Sequence, residues 1–418
     1  MTTHTSSALT SASQAREGND PIFRLNGEAS ARAEAGESIL DATMGALMDD
    51  EGQIAVMPSV AEAIARVPTG KAAGYSPISG SPPFLEAVRK DLLEHPDLLS
   101  KSVAVTTPGG SGAIYQAIKN FVEPGHQALT TDYYWGPYPV IAQHLGRDVS
   151  TFPMFSSDLS FDLEAMKRGI RQHLDTQGRF LLILNFPCHN PTGYSLDSGE
   201  WIGIAEAVRE AGKEAPVAVL LDLAYHRFGG ESADLWIDAL PKMLDTTTVL
   251  LAWTASKSFC QYGARIGSLV ALHPDQEERN KLANALGFTC RATWSNSNHL
   301  GQLAVTDLLV DPELSKRADA DRAELVELLR TRVEAFNRAA GAAGLDVPRY
   351  DGGFFVVVFT PDGEKTAAVM RDMGVYVIPL KGAVRVALCA TPESEIPRLI
   401  AALRAGIDQA EAEQGDSP

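Results

Sequence analysis

A succession of short, unbroken apolar runs constrains this chain more than any other feature. They are Val103–Thr106, Gln127–Thr130, Val149–Phe152, Leu181–Leu184, Val217–Leu221, Val249–Leu251 and Leu269–Leu272. A strand with one wet face alternates apolar and polar residues, and most of these runs do not. They read as strands buried on both faces, with helical segments between them. The expected fold is therefore α/β, with about seven strands in one mostly parallel sheet sandwiched by helices. From Glu313 to about Ala342 runs one long helical pattern. After it, Gly352–Val358, Val375–Ile378 and Val384–Leu388 read as short strands, and Glu393–Glu413 as a closing helix.

This pattern divides the chain. Residues 53–312 are expected to form a large domain. Residues 313–418 form a smaller α+β domain, joined by an N-terminal arm at 20–52 with a helix at Ala29–Ala35 and a short strand at Ile39–Leu40. Residues 1–19, rich in Ser, Thr and Ala, read as a disordered tail. The apolar residues between Asp20 and Leu25 read as a clip for another surface, such as a neighbouring subunit.

A length of 418 residues, 45% of them hydrophobic, allows more than one core. The net charge of −17 repels nucleic acid and anionic membranes, so neither is an expected partner. It also means that an anionic small-molecule substrate needs locally clustered arginines. Cys188, Cys260, Cys290 and Cys389 are scattered, with neither metal-ligand spacing nor a disulfide framework, so no metal is expected. No run reaches membrane-spanning length. A reducing cytoplasm fits.

Chemistry concentrates around Trp253–Gly267. The strand ending there empties into small and hydroxyl residues with one lysine, Lys257, and Arg265 follows before the next apolar run. An amine, hydroxyls and an arginine on one loop suit a ligand bearing an aldehyde and a phosphate, as pyridoxal phosphate does. Pro108–Ala113, a glycine-rich turn opening a helix, offers free N–H groups to an anion. Asp222 ends the run 217–221, where open α/β sheets bind ligands, and could face a pyridine nitrogen. Tyr225 and Asn190, the latter within Phe186–Gly193, could reach a phenolate oxygen, and Trp135 could stack on a planar ring. Arg385 and Arg291 could each read a carboxylate with a planar fork. Each residue also has a bland reading: a surface lysine, a plain strand-to-helix turn, a helix cap, an Asn-Pro turn, a core aromatic, a surface ion pair.

In this order and spacing, Gly45, Tyr75, Gly109-Gly110-Ser111-Gly112, Trp135, Asn190-Pro191-Thr192-Gly193, Asp222-x-x-Tyr225, Ser256-Lys257, Arg265, Arg291 and Arg385 resemble the aspartate and aromatic aminotransferases, fold-type I pyridoxal-phosphate enzymes. The resemblance runs from about Asp20 to the C-terminal helix. It implies pyridoxal 5'-phosphate as cofactor, with Lys257 as Schiff-base lysine and proton shuttle. It implies that Asp222, Tyr225 and Asn190 hold the ring and Trp135 stacks on it. Gly110, Ser111, Thr254 and Arg265 hold the phosphate, joined by Tyr75 from the second subunit of a homodimer. Arg385 takes the substrate α-carboxylate, Gly45 closes over it, and Arg291 crosses from the neighbour to a side-chain carboxylate. Three positions depart from the family: Gly109 replaces a hydroxyl residue, Tyr138 stands where a histidine is usual behind the aspartate, and Ser297-Asn298 replaces two prolines.

The expected function is transfer of an amino group between an acidic or aromatic L-amino acid and a 2-oxo acid such as 2-oxoglutarate. The alternatives are β-elimination or decarboxylation with the same cofactor, or a non-catalytic binding protein on this fold. Arg291, among apolar and hydroxyl neighbours in sequence, is expected to be buried and to need an anion.

Overall fold

The computed structural model describes residues 7–16, 18 and 21–415. After a short strand β1 (Leu40–Asp41), the apolar runs become β2 (Ser102–Pro108), β3 (Gln127–Thr131), β4 (Asp148–Phe152), β5 (Phe180–Leu184), β6 (Val217–Asp222), β7 (Thr248–Thr254) and β8 (Ile266–Leu272). They form one sheet in the order β2-β8-β7-β6-β5-β3-β4. Only β8 runs against its neighbours, β2 and β7; the remaining pairs are parallel.

The lack of alternation follows from the two covered faces. Leu181, Ile183, Leu220 and Leu250 pack into one layer with the helix Gly109–Phe121. Their neighbours Leu182, Leu184, Val219, Leu221 and Leu251 point into the opposite layer, with Trp201, Trp236 and Trp253. Successive side chains of a strand face opposite sides, so both sets must be apolar. Polar residues return where the parallel strands end, and Asn190, Asp222 and Lys257 lie at that carboxyl edge.

A second layer holds β9 (Phe355–Phe359), β10 (Val375–Tyr376), β11 (Ile378–Leu380) and β12 (Ala383–Ala387). β12 pairs antiparallel with both β11 and β9, while β10 pairs parallel with β1. The long helix Pro312–Ala342 joins the two cores: Leu314 and Ala318 belong to the large one, Leu329, Val333, Phe336 and Ala340 to the small one. The large sheet is thus one body and β9–β12 with their helices a smaller one.

The N-terminal arm differs from expectation. A single helix covers Pro21–Glu34, starting well before Ala29, and it buries Leu25 and Ala29 against Tyr376 and Ile378 of the same chain. The expected clip is therefore the first turn of that helix; Phe23 within it stays 70% exposed. In the expected tail, Ser11–Gln14 makes one helical turn capped by Thr10, with nothing buried. Residues 1–6, 17 and 19 of that tail, and Asp20 of the clip, lie outside the described residues.

Phe336 is fully buried and meets Tyr350 edge-on at 6.3 Å between centroids. Phe336→Ala is expected to cost about 3–5 kcal/mol of stability. Chemical denaturation measures it, and a loss below about 1 kcal/mol would contradict the packing described.

Candidate active site

The carboxyl ends of β5, β6 and β7 lie side by side, with Asp222 in register with Ala252. One pocket opens there. Its walls are Gly110, Ser111, Trp135, Asn185, Asn190, Asp222, Ala224, Tyr225, Thr254, Ser256, Lys257 and Arg265. Nine of the residues singled out from sequence thus meet in one place, although they come from five separate loops.

One end of the pocket is built for an anion. β2 leads into Gly109, whose φ of +70° is the left-handed region that favours glycine. A Cβ there would lie 2.3 Å from Nη2 of Arg265, so the guanidinium occupies the space a side chain would need. This accounts for glycine where the family has a hydroxyl residue. Gly110 and Ser111 open the helix Gly109–Phe121, whose first N–H groups have no partner within the helix. Arg265 donates to Ser256 Oγ at 3.2 Å and to the Tyr262 carbonyl at 2.9 Å, and remains exposed. Among the described residues no carboxylate pairs with it.

The other end is a carboxylate held in place. Tyr138 Oη donates to Asp222 Oδ2 at 2.7 Å, and both are buried. Trp135 meets the Tyr138 ring edge-on at 5.5 Å. Asn185 Nδ2 donates to the Asp222 carbonyl at 2.9 Å, while its Oδ1 accepts the Asn190 N–H at 2.7 Å. Asn190 Nδ2 then points at Tyr225 Oη, 3.4 Å away. His189 fixes the same loop, bonding Thr192 Oγ1 at 2.8 Å and stacking on Phe186; burial holds it neutral, with its pKa pushed down to about 3.

Lys257 sits between the two ends, in the turn Ala255–Ser258 that Thr254 caps through its side chain. Its Nζ lies 5.3 Å from the Tyr225 ring centroid. Burial pushes the ammonium down to about 8; the Asp222 charge opposes this and the Arg265 charge adds to it. Burial pushes the Asp222 carboxyl up, against the pull of the Tyr138 hydrogen bond and the Lys257 charge. The result is an amine that loses its proton far more readily than an ordinary lysine's, beside a carboxyl group that a neutral donor holds.

Arg385 and Gly45 adjoin this pocket without lining it. Arg385 is buried, donates from Nη2 to the Thr43 carbonyl at 2.7 Å, and lies over the Phe355 ring at 4.4 Å. A Cβ on Gly45 would stand 2.8 Å from Cζ of that ring, and Tyr225 meets it edge-on at 5.8 Å. Phe355 therefore joins the arginine, the glycine and the pocket wall.

Tyr75 and Arg291 do not reach the pocket of their own chain. Tyr75 is 89% exposed. The expectation that Arg291 is buried is corrected: it lies exposed on the last turn of the helix Gln276–Ala292 and bonds Ser295 Oγ at 2.7 Å. Adjacent residues on a helix point about 100° apart. Cys290 takes the buried side, so Arg291 faces outward whatever its sequence neighbours are. Asn185 is a wall residue that sequence reasoning missed, and Ser256, quoted beside Lys257, was given no role there; both stand within a residue or two of a strand end, the one signal that marks them.

The residues fit the implied cofactor. An anion-binding end with a glycine cradle, a carboxylate end, an amine between them and a tryptophan on the wall match its phosphate, ring nitrogen, aldehyde and face. The family profile "Aminotransferase class I and II" matches residues 38–403. An aromatic-amino-acid aminotransferase of Paracoccus denitrificans is 28% identical over 398 residues, covering 92% of this chain and 96% of the relative. A tyrosine aminotransferase of Klebsiella pneumoniae is 29% identical, covering 82% and 88%. The crystal structure of an aminotransferase from Anaerococcus prevotii superposes with a TM-score of 0.88 at 28% identity, over 94% of this chain and 98% of that one.

The lowered Lys257 pKa has a kinetic consequence. Only the free amine attacks a carbonyl, and its fraction grows as pH rises through the pKa. The rate at which apoprotein captures pyridoxal phosphate should therefore rise with a midpoint near 8 rather than 10.5. Stopped-flow absorbance between about pH 6 and 10 reads it, and a midpoint close to that of an ordinary lysine would overturn the assignment.

Proposed function

The chain belongs to the class I and II aminotransferases, and from that premise we propose how its own residues move the amino group. It is a pyridoxal-phosphate-dependent transaminase acting on amino acids and 2-oxo acids. When bound, the cofactor supplies an aldehyde and an electron-poor ring that accepts the electron pair released at the substrate Cα. Asp222, Tyr225 and Asn190 would hold the ring, with Trp135 against its face. Gly110, Ser111, Thr254 and Arg265 would hold its phosphate, and Tyr75 would join them from the partner of a homodimer. The exposure of Tyr75 supports that reading, since its side chain stands open to a neighbouring chain.

The chemistry of the chain centres on Lys257 Nζ. Burial makes its amine easier to deprotonate than an ordinary lysine's, so it would take the Cα proton and carry it along the same side of the pocket. The Tyr138 donor and the Lys257 charge favour the carboxylate form of Asp222 against the effect of burial. Arg385 would grip the α-carboxylate with its planar fork and so orient the Cα–H bond toward Lys257. Gly45 and Phe355 would close over that end and exclude water. The observation that carries the proposal is one buried pocket containing both the Lys257 amine and the Asp222 carboxylate, with an anion cradle at its far side.

We take residues 53–312 as the cofactor-binding unit, and 20–52 with 313–418 as the unit that brings Arg385 and Gly45. The donor is an acidic or aromatic L-amino acid and the acceptor a 2-oxo acid such as 2-oxoglutarate. The names of the two relatives support the aromatic donor. Arg291 would read the second carboxylate from across the dimer, where its exposed guanidinium can meet a neighbour's pocket. A cytoplasmic location is consistent with four buried free thiols and with no helix, among the described residues, long and apolar enough to cross a membrane.

Lys257→Ala should abolish transamination and remove the visible absorbance of the purified protein, as spectroscopy and a coupled assay would record. Near-wild-type turnover in that variant would refute the mechanism. Arg291→Ala should lower kcat/KM for glutamate by about tenfold or more relative to an uncharged donor, because one charge-assisted contact is lost. Equal losses for glutamate and for phenylalanine would make Arg291 structural.

A further inference from the structure

We propose that Asn298 and His299 form a positioning pair that holds two phosphate-binding residues, Arg265 and Tyr75, and so sets how firmly the cofactor phosphate is gripped; this rests on the phosphate roles proposed above. Arg265 has a φ of +53°, a conformation disfavoured for any residue with a side chain, so its surroundings must hold it. The helix His299–Val310 does so from both sides. Asn298 caps that helix, its Oδ1 accepting the Gly301 N–H at 3.0 Å. The same side chain donates from Nδ2 to the carbonyl of Ala264, the residue before Arg265, at 2.9 Å. Gly301 lies against Ile266, the residue after it: a Cβ on Gly301 would come within 2.2 Å of Ile266 Cδ1. The turn bearing Arg265 is thus held on each flank by one helix start.

The same helix start holds the second element. His299 Nδ1–H donates to the carbonyl of Gly74, the residue before Tyr75, at 2.8 Å. One turn on, buried Gln302 accepts the Ser81 N–H at 2.7 Å and donates to Ser76 Oγ at 3.1 Å. The loop that presents Tyr75 therefore hangs from His299 and Gln302, one residue away from the side chain that fixes the Arg265 turn. Asn298 stands at one of the positions where the family often has prolines. A proline there has no amide with which to reach Ala264, so this chain has its own means of fixing the arginine. In a dimer, Arg265 serves the chain's own site and Tyr75 the neighbour's, which makes the pair a common support for both.

The test separates grip on the phosphate from general stability. Full-length protein is equilibrated with graded pyridoxal phosphate or with pyridoxal, which lacks the phosphate, and occupancy is read from visible absorbance. Asn298→Ser keeps the helix cap but cannot reach Ala264; His299→Ala removes the donor to Gly74. Each is expected to weaken pyridoxal phosphate binding about tenfold while pyridoxal binding stays within about twofold, as loss of one hydrogen bond to a positioned group predicts. Circular dichroism confirms that the variants fold. Arg265→Ala and Tyr75→Phe are run beside them. If these two lower the phosphate preference and Asn298→Ser and His299→Ala do not, or if the latter weaken both ligands equally, the positioning role is wrong while the phosphate assignments stand. A loss confined to one member of the pair overturns the pairing. If Arg265→Ala and Tyr75→Phe leave the preference unchanged, the phosphate assignments fail and the positioning role fails with them.

Discussion

Everything at this site depends on placing an amine and a carboxylate in one low-dielectric pocket without letting either lose its function. Burial drives Lys257 toward the neutral form and Asp222 toward the protonated form, and each opposes the other's drift through its charge. Left alone, such a pair would settle by exchanging a proton. The Tyr138 hydroxyl opposes that exchange, because a donor at 2.7 Å favours the carboxylate without adding a charge, although burial remains the larger influence. Its own proton is held firmly, since burial and the Asp222 charge push the phenol well above its usual range. A cationic partner in that place would stabilise Asp222 further, but it would also lower the Lys257 pKa by like-charge repulsion. The tyrosine acts on the carboxylate alone.

The same economy of space governs the phosphate end. Gly267 lies so close to Gly109 that a Cβ would stand 2.5 Å from the Gly109 carbonyl carbon, and Arg265 lies over Gly109 in turn. Two backbone segments are stacked with no side chain between them and the Arg265 guanidinium lies over them, which leaves N–H groups and a guanidinium as the surface that can meet a ligand. Glycine is required there by contact as well as by φ.

Much of this was legible in the chain because the physics that marks it is local. Strands buried on two faces write themselves as unbroken apolar runs, and β2 to β8 emerged within a few residues of the expected bounds. Lys257, Asp222 and Asn190 were legible because each follows the end of such a run. The contacts that complete the site were not, because they join residues far apart in sequence. Only the resemblance, and no local pattern, points Tyr138 toward Asp222, and Asn185 passes unnoticed after its strand until its amide is seen bridging β6 and Asn190. Arg291 misled for the converse reason: neighbours in sequence are not neighbours around a helix. The first half of the helix Pro21–Glu34 was hidden because Asn26-Gly27 interrupts its pattern, and packing on Tyr376 and Ile378 helps to hold it.

The small body is tied to the lysine loop by more than packing. The segment from Ala42 to Met48 carries Gly45, and β12 and its continuation hold it: Ala387 N–H donates to the Ala42 carbonyl and Met48 N–H to the Cys389 carbonyl, both at 2.9 Å. Fully buried Arg332, on the long shared helix, donates to the same Cys389 carbonyl at 3.0 Å and pairs with Asp50 at 2.7 Å. On the other side, Leu47 N–H donates to Tyr262 Oη at 2.9 Å, in the loop between Lys257 and Arg265. Arg322, on the large-domain half of that helix, donates to the Ser258 carbonyl at 2.9 Å, next to Lys257. Arg385, Gly45 and Lys257 are therefore linked through one long helix and one tyrosine. On the roles proposed above, a carboxylate drawn onto Arg385 would bear on Thr43, whose segment already touches the lysine loop through Leu47 and Tyr262, so gripping the substrate and presenting the amine would be coupled.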